Sequence, residues 1–325
     1  MKMKLFAKVA CISIFVIAVS AFVVAPIAKA ASQEKIQAAI DAGVVWLVTQ
    51  QDCDGSWGNS VARTGFAVVK LEDYAFEQEL SPFDEAYVYS ANVIAGLDYI
   101  FSRALNDDCG IHFESQDTYD TGIAMMAIAA GGDMTRTVIG GVLDGMTYGA
   151  VLEANVDYFE NSQTTEGAWA YQCGNTLTDN SNSGYAVLGL RYAEAAGITI
   201  PGSIKDGLDE WIGLIQDPVD GDVDDGGSWY RTDWPWVNLL KTGNLLFQMA
   251  FVDDTTATVR VQDAIDYIVR HWNDLNDDPG WKPDNYQAMY CLMKGFESLG
   301  IWIFHIRYRQ QAPSRLFVIQ LLPLV

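Results

Sequence analysis

The chain has 325 residues, of which 50% are hydrophobic, and it carries 42 acidic against 20 basic residues. All the acidic residues lie between positions 31 and 300 with 13 of the basic ones, so this body has a formal net charge of −29. Such a charge repels nucleic acids and anionic lipids, so we expect no nucleic-acid partner.

The first 30 residues have the pattern of an export signal. Three lysines precede an apolar run from Val9 to Ala28, and Ala28-Lys29-Ala30 offers small residues for cleavage. The run is close to the roughly 20 residues that span a bilayer, so an uncleaved N-terminal anchor is the alternative to a cleaved signal peptide. In both cases we expect the body to be secreted or otherwise extracytoplasmic.

A short sequence pattern recurs along residues 31–300. A turn rich in Gly and Asp, usually with a Trp, is followed by a Thr/Ser-Gly pair and an apolar run. The pairs are Thr64-Gly65, Thr121-Gly122, Ser183-Gly184 and Thr242-Gly243, which are 57, 62 and 59 residues apart. A looser fifth copy, DDPGWKPDN, leads to YQAMYCLMKGFESLG. Recurrence at such spacings is typical of repeat architectures.

Two kinds of helix are predicted around each turn. Residues 122–132 and 243–252, which follow turns, contain no charge, so we expect helices buried on every side. The stretches before the turns have apolar residues at steps of three and four, which predicts helices with one buried stripe. The stripes are Ile36, Ile40, Val44 and Leu47; Leu152, Val156 and Phe159; Ile204, Leu208, Trp211 and Ile215; and Val261, Ile265, Ile268 and Trp272.

These elements predict an all-α fold of about five helical hairpins, in which residues 80–105 serve as the outer helix of the second hairpin. Hairpins in a line would expose the inner helices on one face, whereas a ring buries them. We therefore predict a double-walled helical barrel, an α/α toroid, with a linear solenoid as the alternative. Residues 301–325 are basic and apolar. We expect this tail not to form a further hairpin, so that the ring is incomplete.

The turn QQDCDGSWG at residues 50–58 resembles the prenyltransferase/squalene-cyclase repeat. The match rests on Gln50 and Asp54–Gly58, then on Gly226–Trp229, with Gly167–Trp169 partial and Gly280-Trp281 weaker. The resemblance covers roughly residues 33–300. It implies the α/α toroid of the terpenoid cyclase and protein prenyltransferase superfamily, in which the glutamine and tryptophan tie neighbouring hairpins together. The aromatic residues that it predicts to be structural or ligand-binding are Trp57, Trp169, Trp229, Tyr230 and Trp281.

One acidic segment, DPVDGDVDDGG at residues 217–227, offers candidate chemistry. Within it, Asp222, Asp224 and Asp225 form the D-x-D-D string with which class II terpene cyclases protonate an isoprenoid double bond, so they are catalytic candidates. The string runs directly into a repeat turn, and those cyclases also need a second helical barrel. We therefore expect a non-catalytic protein that binds a hydrophobic small molecule, a polymer or a protein at the cell surface. The alternative is an enzyme on the same toroid, either an isoprenoid cyclase-like enzyme or a secreted polysaccharide lyase or hydrolase.

The same segment offers candidate calcium ligands. Asp220, Asp222 and Asp224 alternate, and carboxylate oxygens are the ligands that calcium prefers. The glycine and the distal glutamate of an EF-hand are missing, so a solvated acidic loop is the alternative.

Three cysteines lie in equivalent inter-helix loops, which a toroid would place at one end of the molecule. Cys53–Cys109 and Cys109–Cys173 are therefore both candidate disulfides in an exported protein. Cys291 lies in an apolar helical stretch, where we expect a buried thiol.

Overall fold

The computed structural model describes residues 32–114, 117–272, 285–303 and 321–322. These residues form ten α-helices, a 3₁₀ turn at Gly141–Leu143 and two small sheets. The helices are α1 Gln33–Thr49, α2 Val61–Glu77, α3 Ser90–Ser102, α4 Asp117–Ala130, α5 Tyr148–Ser162, α6 Asn180–Ala195, α7 Gly202–Ile215, α8 Leu239–Phe251, α9 Val259–His271 and α10 Tyr286–Ser298. The strands are β1 Ala104–Asp107, β2 Gly110–Phe113, β3 Trp302–Ile303 and β4 Leu321–Leu322.

The prediction of a mainly helical fold is confirmed. The second outer helix is shorter than residues 80–105, because it begins only at Ser90. Asp84 holds the preceding segment in a turn: its side chain accepts the Ala86 N–H at 2.8 Å and its carbonyl accepts the Tyr87 N–H at 3.0 Å. A carboxylate that bonds its own backbone in this way competes with helix formation.

Small antiparallel strand pairs complete the fold. β1 pairs with β2 from Ala104–Phe113 to Asp107–Gly110, and β3 pairs with β4. Residues 1–31, and 304–320 in the tail, lie outside the described residues. Among the helices that the structure describes, none has the length and apolar character needed to cross a membrane.

The even-numbered helices form a continuous inner row. α2 packs on α4, α4 on α6, α6 on α8 and α8 on α10. The side chains of α4, α6 and α8 are buried over most of their length, as the uncharged stretches 122–132 and 243–252 predict for α4 and α8. The odd-numbered outer helices pack against this row and bury one stripe each. α1 is an exception, because Val44 is its only buried residue.

The Thr/Ser of each recurring pair fastens a turn to an inner helix. Its hydroxyl accepts a backbone N–H from the turn in all four copies. The bonds are Trp57 to Thr64 at 3.0 Å, Phe113 to Thr121 at 3.0 Å, Trp169 to Ser183 at 3.2 Å and Ser228 to Thr242 at 3.1 Å. A buried backbone N–H needs such a partner, which explains why a small hydroxyl residue recurs at this position.

The glycine of each pair lets the next inner helix approach closely. A Cβ atom at Gly122 would lie 2.2 Å from the carbonyl oxygen of Tyr185 on α6, and one at Gly243 would lie 2.7 Å from the backbone nitrogen of Leu292 on α10. Atoms cannot approach to these distances, so a larger residue would push the helices apart.

The fifth inner helix departs from this pattern. Side chains of Ser60, Asp179, Asn238 and Asn285 cap α2, α6, α8 and α10 by accepting the N–H three residues later. In α2, α6 and α8 the Thr/Ser-Gly pair lies four and five residues after the capping residue. In α10 the same two positions are Met289 and Tyr290. The Tyr290 ring contacts Phe66 of α2 edge to face, with ring centroids 5.6 Å apart. Phe66 directly follows Gly65, so this contact joins two side chains at positions equivalent to those where the other inner helices approach each other.

Candidate functional site

Two of the predicted tryptophans are buried parts of the scaffold. The Trp57 ring N–H donates to the carbonyl oxygen of Leu47 at 2.8 Å, and that of Trp169 donates to Phe159 at 2.9 Å. Both acceptors lie near the C-terminus of an outer helix, where carbonyl groups lack helical partners. Trp57 is 5% exposed and Trp169 is fully buried, so the described structure leaves neither open to a ligand.

A glutamine links each of three turns to the next outer helix. Gln51 donates its amide N–H groups to the carbonyls of Gly55 and Asn92, at 2.9 and 3.0 Å. Gln163 and Gln216 repeat the arrangement. Gln51, and not Gln50, is therefore the linking residue of the first turn, since the side chain of Gln50 is exposed and donates to the Thr49 hydroxyl beside it.

Trp229 is not equivalent to the other two tryptophans. Gly226 occupies the position of Gly55, because a Cβ at either would collide with a carbonyl near the start of the next outer helix. Two residues later, Ser228 takes the place of Trp57. Trp229 is only partly buried, and its ring N–H donates to the Asp217 carboxylate at 2.6 Å. The predicted equivalence was wrong by one residue, while Trp281 lies outside the described residues.

Carboxylates do converge in the acidic segment, but in a different set from the one predicted. One oxygen from each of Asp217, Asp222 and Asp225 lies within 4.8 Å of the others. Of Asp220, Asp222 and Asp224, only Asp222 belongs to this group. The loop turns back at Gly221, so alternation along the sequence does not bring these side chains together.

Hydrogen bonds and burial distinguish the carboxylates of this group. Asp225 accepts the backbone N–H groups of Asp220, Gly221 and Asp222, and these bonds, Asp220 first, lower its pKa. Partial burial raises the pKa of Asp217, against the effect of its hydrogen bond from Trp229. Asp225 therefore holds the loop in shape, while one of its oxygens lies near those of Asp217 and Asp222.

The catalytic candidates lie beside an outer helix. The side chain of Arg270, on α9, donates to the carbonyl of Asp225 at 2.5 Å. The His271 imidazole lies 2.7 Å from the carbonyl of Val223. These contacts hold the segment with Asp222, Asp224 and Asp225 against the end of α9.

Aromatic side chains from four inner helices meet one another. Tyr119 on α4 and Tyr185 on α6 have ring centroids 4.1 Å apart, and Phe66 on α2 contacts both Tyr185 and Tyr290. We call Phe66, Tyr119, Tyr185 and Tyr290 the inner aromatic cluster. Tyr185 is buried, whereas Phe66, Tyr119 and Tyr290 remain partly exposed.

A second group of rings reaches the surface from two inter-helix loops. Trp234 stacks on Trp236 at 5.4 Å and 22°, and Tyr230 meets Trp234 edge to face. Tyr171 stacks on Tyr119 at 6.3 Å and 6°. We call Tyr171, Tyr230, Trp234 and Trp236 the aromatic platform. Trp234 is 48% and Tyr171 40% exposed, so both present apolar area to solvent.

Polar contacts connect the platform to neighbouring residues. The Asn180 N–H donates to the Tyr230 carbonyl at 2.9 Å, and the Lys241 ammonium lies 3.4 Å from the centre of the Trp236 ring. Burial, followed by the nearby Asp179 carboxylate, raises the pKa of Tyr230, whose side chain also interacts with that of Tyr171. Tyr230 was predicted from the sequence, but Tyr171, Trp234 and Trp236 were missed. The segment Asp233-Trp-Pro-Trp236, two tryptophans in a polar loop, is the signal that could have found the last two.

Of the two candidate disulfides, Cys109–Cys173 is formed and Cys53–Cys109 is not. Cys109, between β1 and β2, is bonded to Cys173 in the loop before α6. Cys53 is a free, exposed thiol, and Cys291 is a free, buried one. Burial raises the pKa of the Cys291 thiol to about 12, so it remains protonated at neutral pH.

No protein-family model matches this sequence, and no curated protein shows significant similarity to it.

Proposed function

We propose that this chain is an exported, non-catalytic binding protein built on a five-hairpin α/α toroid of the prenyltransferase/squalene-cyclase type. Its ligand, a polymer or a hydrophobic molecule at the cell surface, contacts the aromatic platform. The observation that carries the proposal is the half-exposed Trp234 ring, held on Trp236 beside Tyr230.

The contact between α10 and α2 supports a ring over a linear solenoid. In an open row the first and last inner helices would be far apart, yet Phe66 and Tyr290 meet at positions equivalent to the other inner contacts. The aromatic pair replaces glycine at this seam, so the two helices lie further apart than their equivalents. A ring of five with one wide seam accounts for both observations.

Two features support binding over catalysis. Acid–base chemistry on an isoprenoid needs a carboxylic acid facing an enclosed cavity. The D-x-D-D segment is instead held against the outer helix α9 by Arg270 and His271. The platform, in contrast, combines exposed aromatic rings with ring–ring and polar contacts that support them, which are properties of recognition surfaces.

Binding to the platform can be tested by fluorescence and calorimetry. Candidate ligands from three classes, a soluble polysaccharide, an isoprenoid alcohol and a basic peptide, are titrated into the native chain and Trp234→Ala. We expect one class to bind the native chain and to lose affinity by about tenfold in the variant, the loss of one stacking contact. Binding that is equal in both proteins would place the ligand elsewhere.

We also propose that calcium stabilises the acidic loop. The convergence of Asp217, Asp222 and Asp225 within 4.8 Å supports this role, since hard oxygen donors suit calcium. Such an ion would brace the turn that carries Trp229 and leads to the platform.

A further inference from the structure

We infer that the aromatic platform binds a neutral polysaccharide, by stacking sugar rings on Tyr171 and Trp234. The inference rests on the proposed function and names the chemical class of its ligand.

The geometry of the rings favours a ligand with flat apolar faces. Trp236 covers one side of Trp234, and Tyr119 covers one side of Tyr171 with the two rings nearly parallel. Since both outer rings remain 40–48% exposed, they present ring surface to solvent. A pyranose has a C–H face of comparable size, and stacking on fixed rings costs little conformational entropy.

Polar groups beside the rings suit a ligand rich in hydroxyl groups. Arg231 and Asp233 form an ion pair at 2.8 Å in the same loop, and the guanidinium lies 5.7 Å from the Trp234 ring centre. Asp233 remains 65% exposed, so its carboxylate can still accept hydrogen bonds. A donor group and an acceptor group beside an aromatic ring can both bond a sugar's hydroxyls, since a hydroxyl donates and accepts.

The surroundings disfavour two other ligand classes. Small apolar ligands bind in enclosed sites that bury most of their surface, whereas Trp234 and Tyr171 are open. Polyanions are repelled by the net charge of −29 on residues 31–300.

Affinity electrophoresis of the full exported chain tests the inference. Native gels contain starch, a β-1,3-glucan or a galactomannan, with polygalacturonate as the acidic comparison. We expect at least one neutral polysaccharide to retard the chain, and Trp234→Ala and Tyr171→Ala each to weaken binding by roughly tenfold. Trp46→Ala is the matched control, because Trp46 is also exposed, at 62%, but lies on α1. It should bind within about twofold of the native chain, as expected for a surface change away from the site.

The outcomes separate this inference from the proposed function. The inference is wrong if no neutral polysaccharide retards the chain, or if polygalacturonate alone does. It is also wrong if Trp46→Ala weakens binding as much as the platform variants do. If an isoprenoid alcohol or a peptide binds instead and Trp234→Ala weakens that binding, the platform is a binding site and only the ligand class is wrong. If no ligand's binding depends on Trp234 or Tyr171, both proposals are wrong. Melting curves that match the native chain confirm that the variants are folded.

Discussion

Trp57 and Trp169 each combine aromatic burial with a ring hydrogen bond to the end of an outer helix. Replacing either with alanine should lower the free energy of unfolding by about 2–4 kcal/mol, because a large buried ring is lost. Trp229→Ala should cost less, since Trp229 is only partly buried. Urea melts measure the change, with the exposed Trp46→Ala within about 0.5 kcal/mol of the native chain as control. Losses below that value at both Trp57 and Trp169 would show that these rings do not hold the hairpins together.

Glu72 is a buried carboxyl group on an inner helix. Neither of its oxygens has a hydrogen-bond partner among the described residues, and burial, followed by the charge of Asp73, raises its pKa well above the ordinary 4.5. The native state therefore keeps a proton that the unfolded chain releases above about pH 4.5. Stability should fall as the pH rises above that value towards the folded pKa, by at most about 1.4 kcal/mol per pH unit.

Glu72→Gln should remove this dependence, because glutamine has a similar shape and does not titrate. We expect the variant to unfold at higher urea concentration than the native chain at pH 7, and the difference to shrink towards pH 4. Glu77→Gln, at an exposed position of the same helix, should leave the pH profile unchanged. A native profile that is flat between pH 4 and 8, or unaltered by Glu72→Gln, would mean that Glu72 is not held protonated.

At the scale of the element, two sets of calcium ligands in the acidic loop can be distinguished. The sequence predicts Asp220, Asp222 and Asp224, whereas the structure brings together Asp217, Asp222 and Asp225. Calcium should raise the melting temperature, because a ligand that binds only the native state stabilises it by mass action. Asp217→Asn should remove most of this rise, while Asp220→Asn should keep it, because Asp217 and not Asp220 belongs to the convergent group. Asparagine at 217 still offers an acceptor to Trp229.

Calorimetric scans in calcium and in a chelator measure the effect on the loop. Identical scans for the native chain would exclude the ion. Loss of the effect in Asp220→Asn but not in Asp217→Asn would instead favour the alternating set predicted from the sequence.

At the scale of the whole molecule, the Phe66–Tyr290 contact distinguishes a ring from an open row. Phe66→Ala and Tyr290→Ala should be coupled by about 0.5–1.5 kcal/mol in a double-mutant cycle, the range of aromatic pairs. Phe101 packs on Tyr148, away from the inner aromatic cluster, so Phe66→Ala and Phe101→Ala should be additive and serve as control. Additive effects for Phe66 and Tyr290 in urea melts would show that α2 and α10 do not meet in solution.

The helices themselves could be predicted from the sequence. Apolar spacing of three and four marked the outer helices, and uncharged stretches marked two of the inner ones, because burial on one side or on all sides directly selects residue type. The recurring Thr/Ser-Gly pair was also visible, although its reason became clear only in the structure: the hydroxyl accepts a turn N–H, and the glycine admits the next helix. Buried Trp57 and Trp169 followed from the same repeat.

Spatial contacts between loops were decided by the tertiary structure. The fourth turn contains inserted residues after Gln216, so only its hydrogen bonds reveal that Ser228 takes the place of Trp57 and that Asp217, Asp222 and Asp225 converge. The choice of Cys109–Cys173, the stacking of Trp234 on Trp236 and the meeting of Phe66 with Tyr290 also join residues distant in sequence or in loops without periodicity. Periodicity reports how each segment faces the core, whereas these contacts depend on how the packed helices bring the loops together.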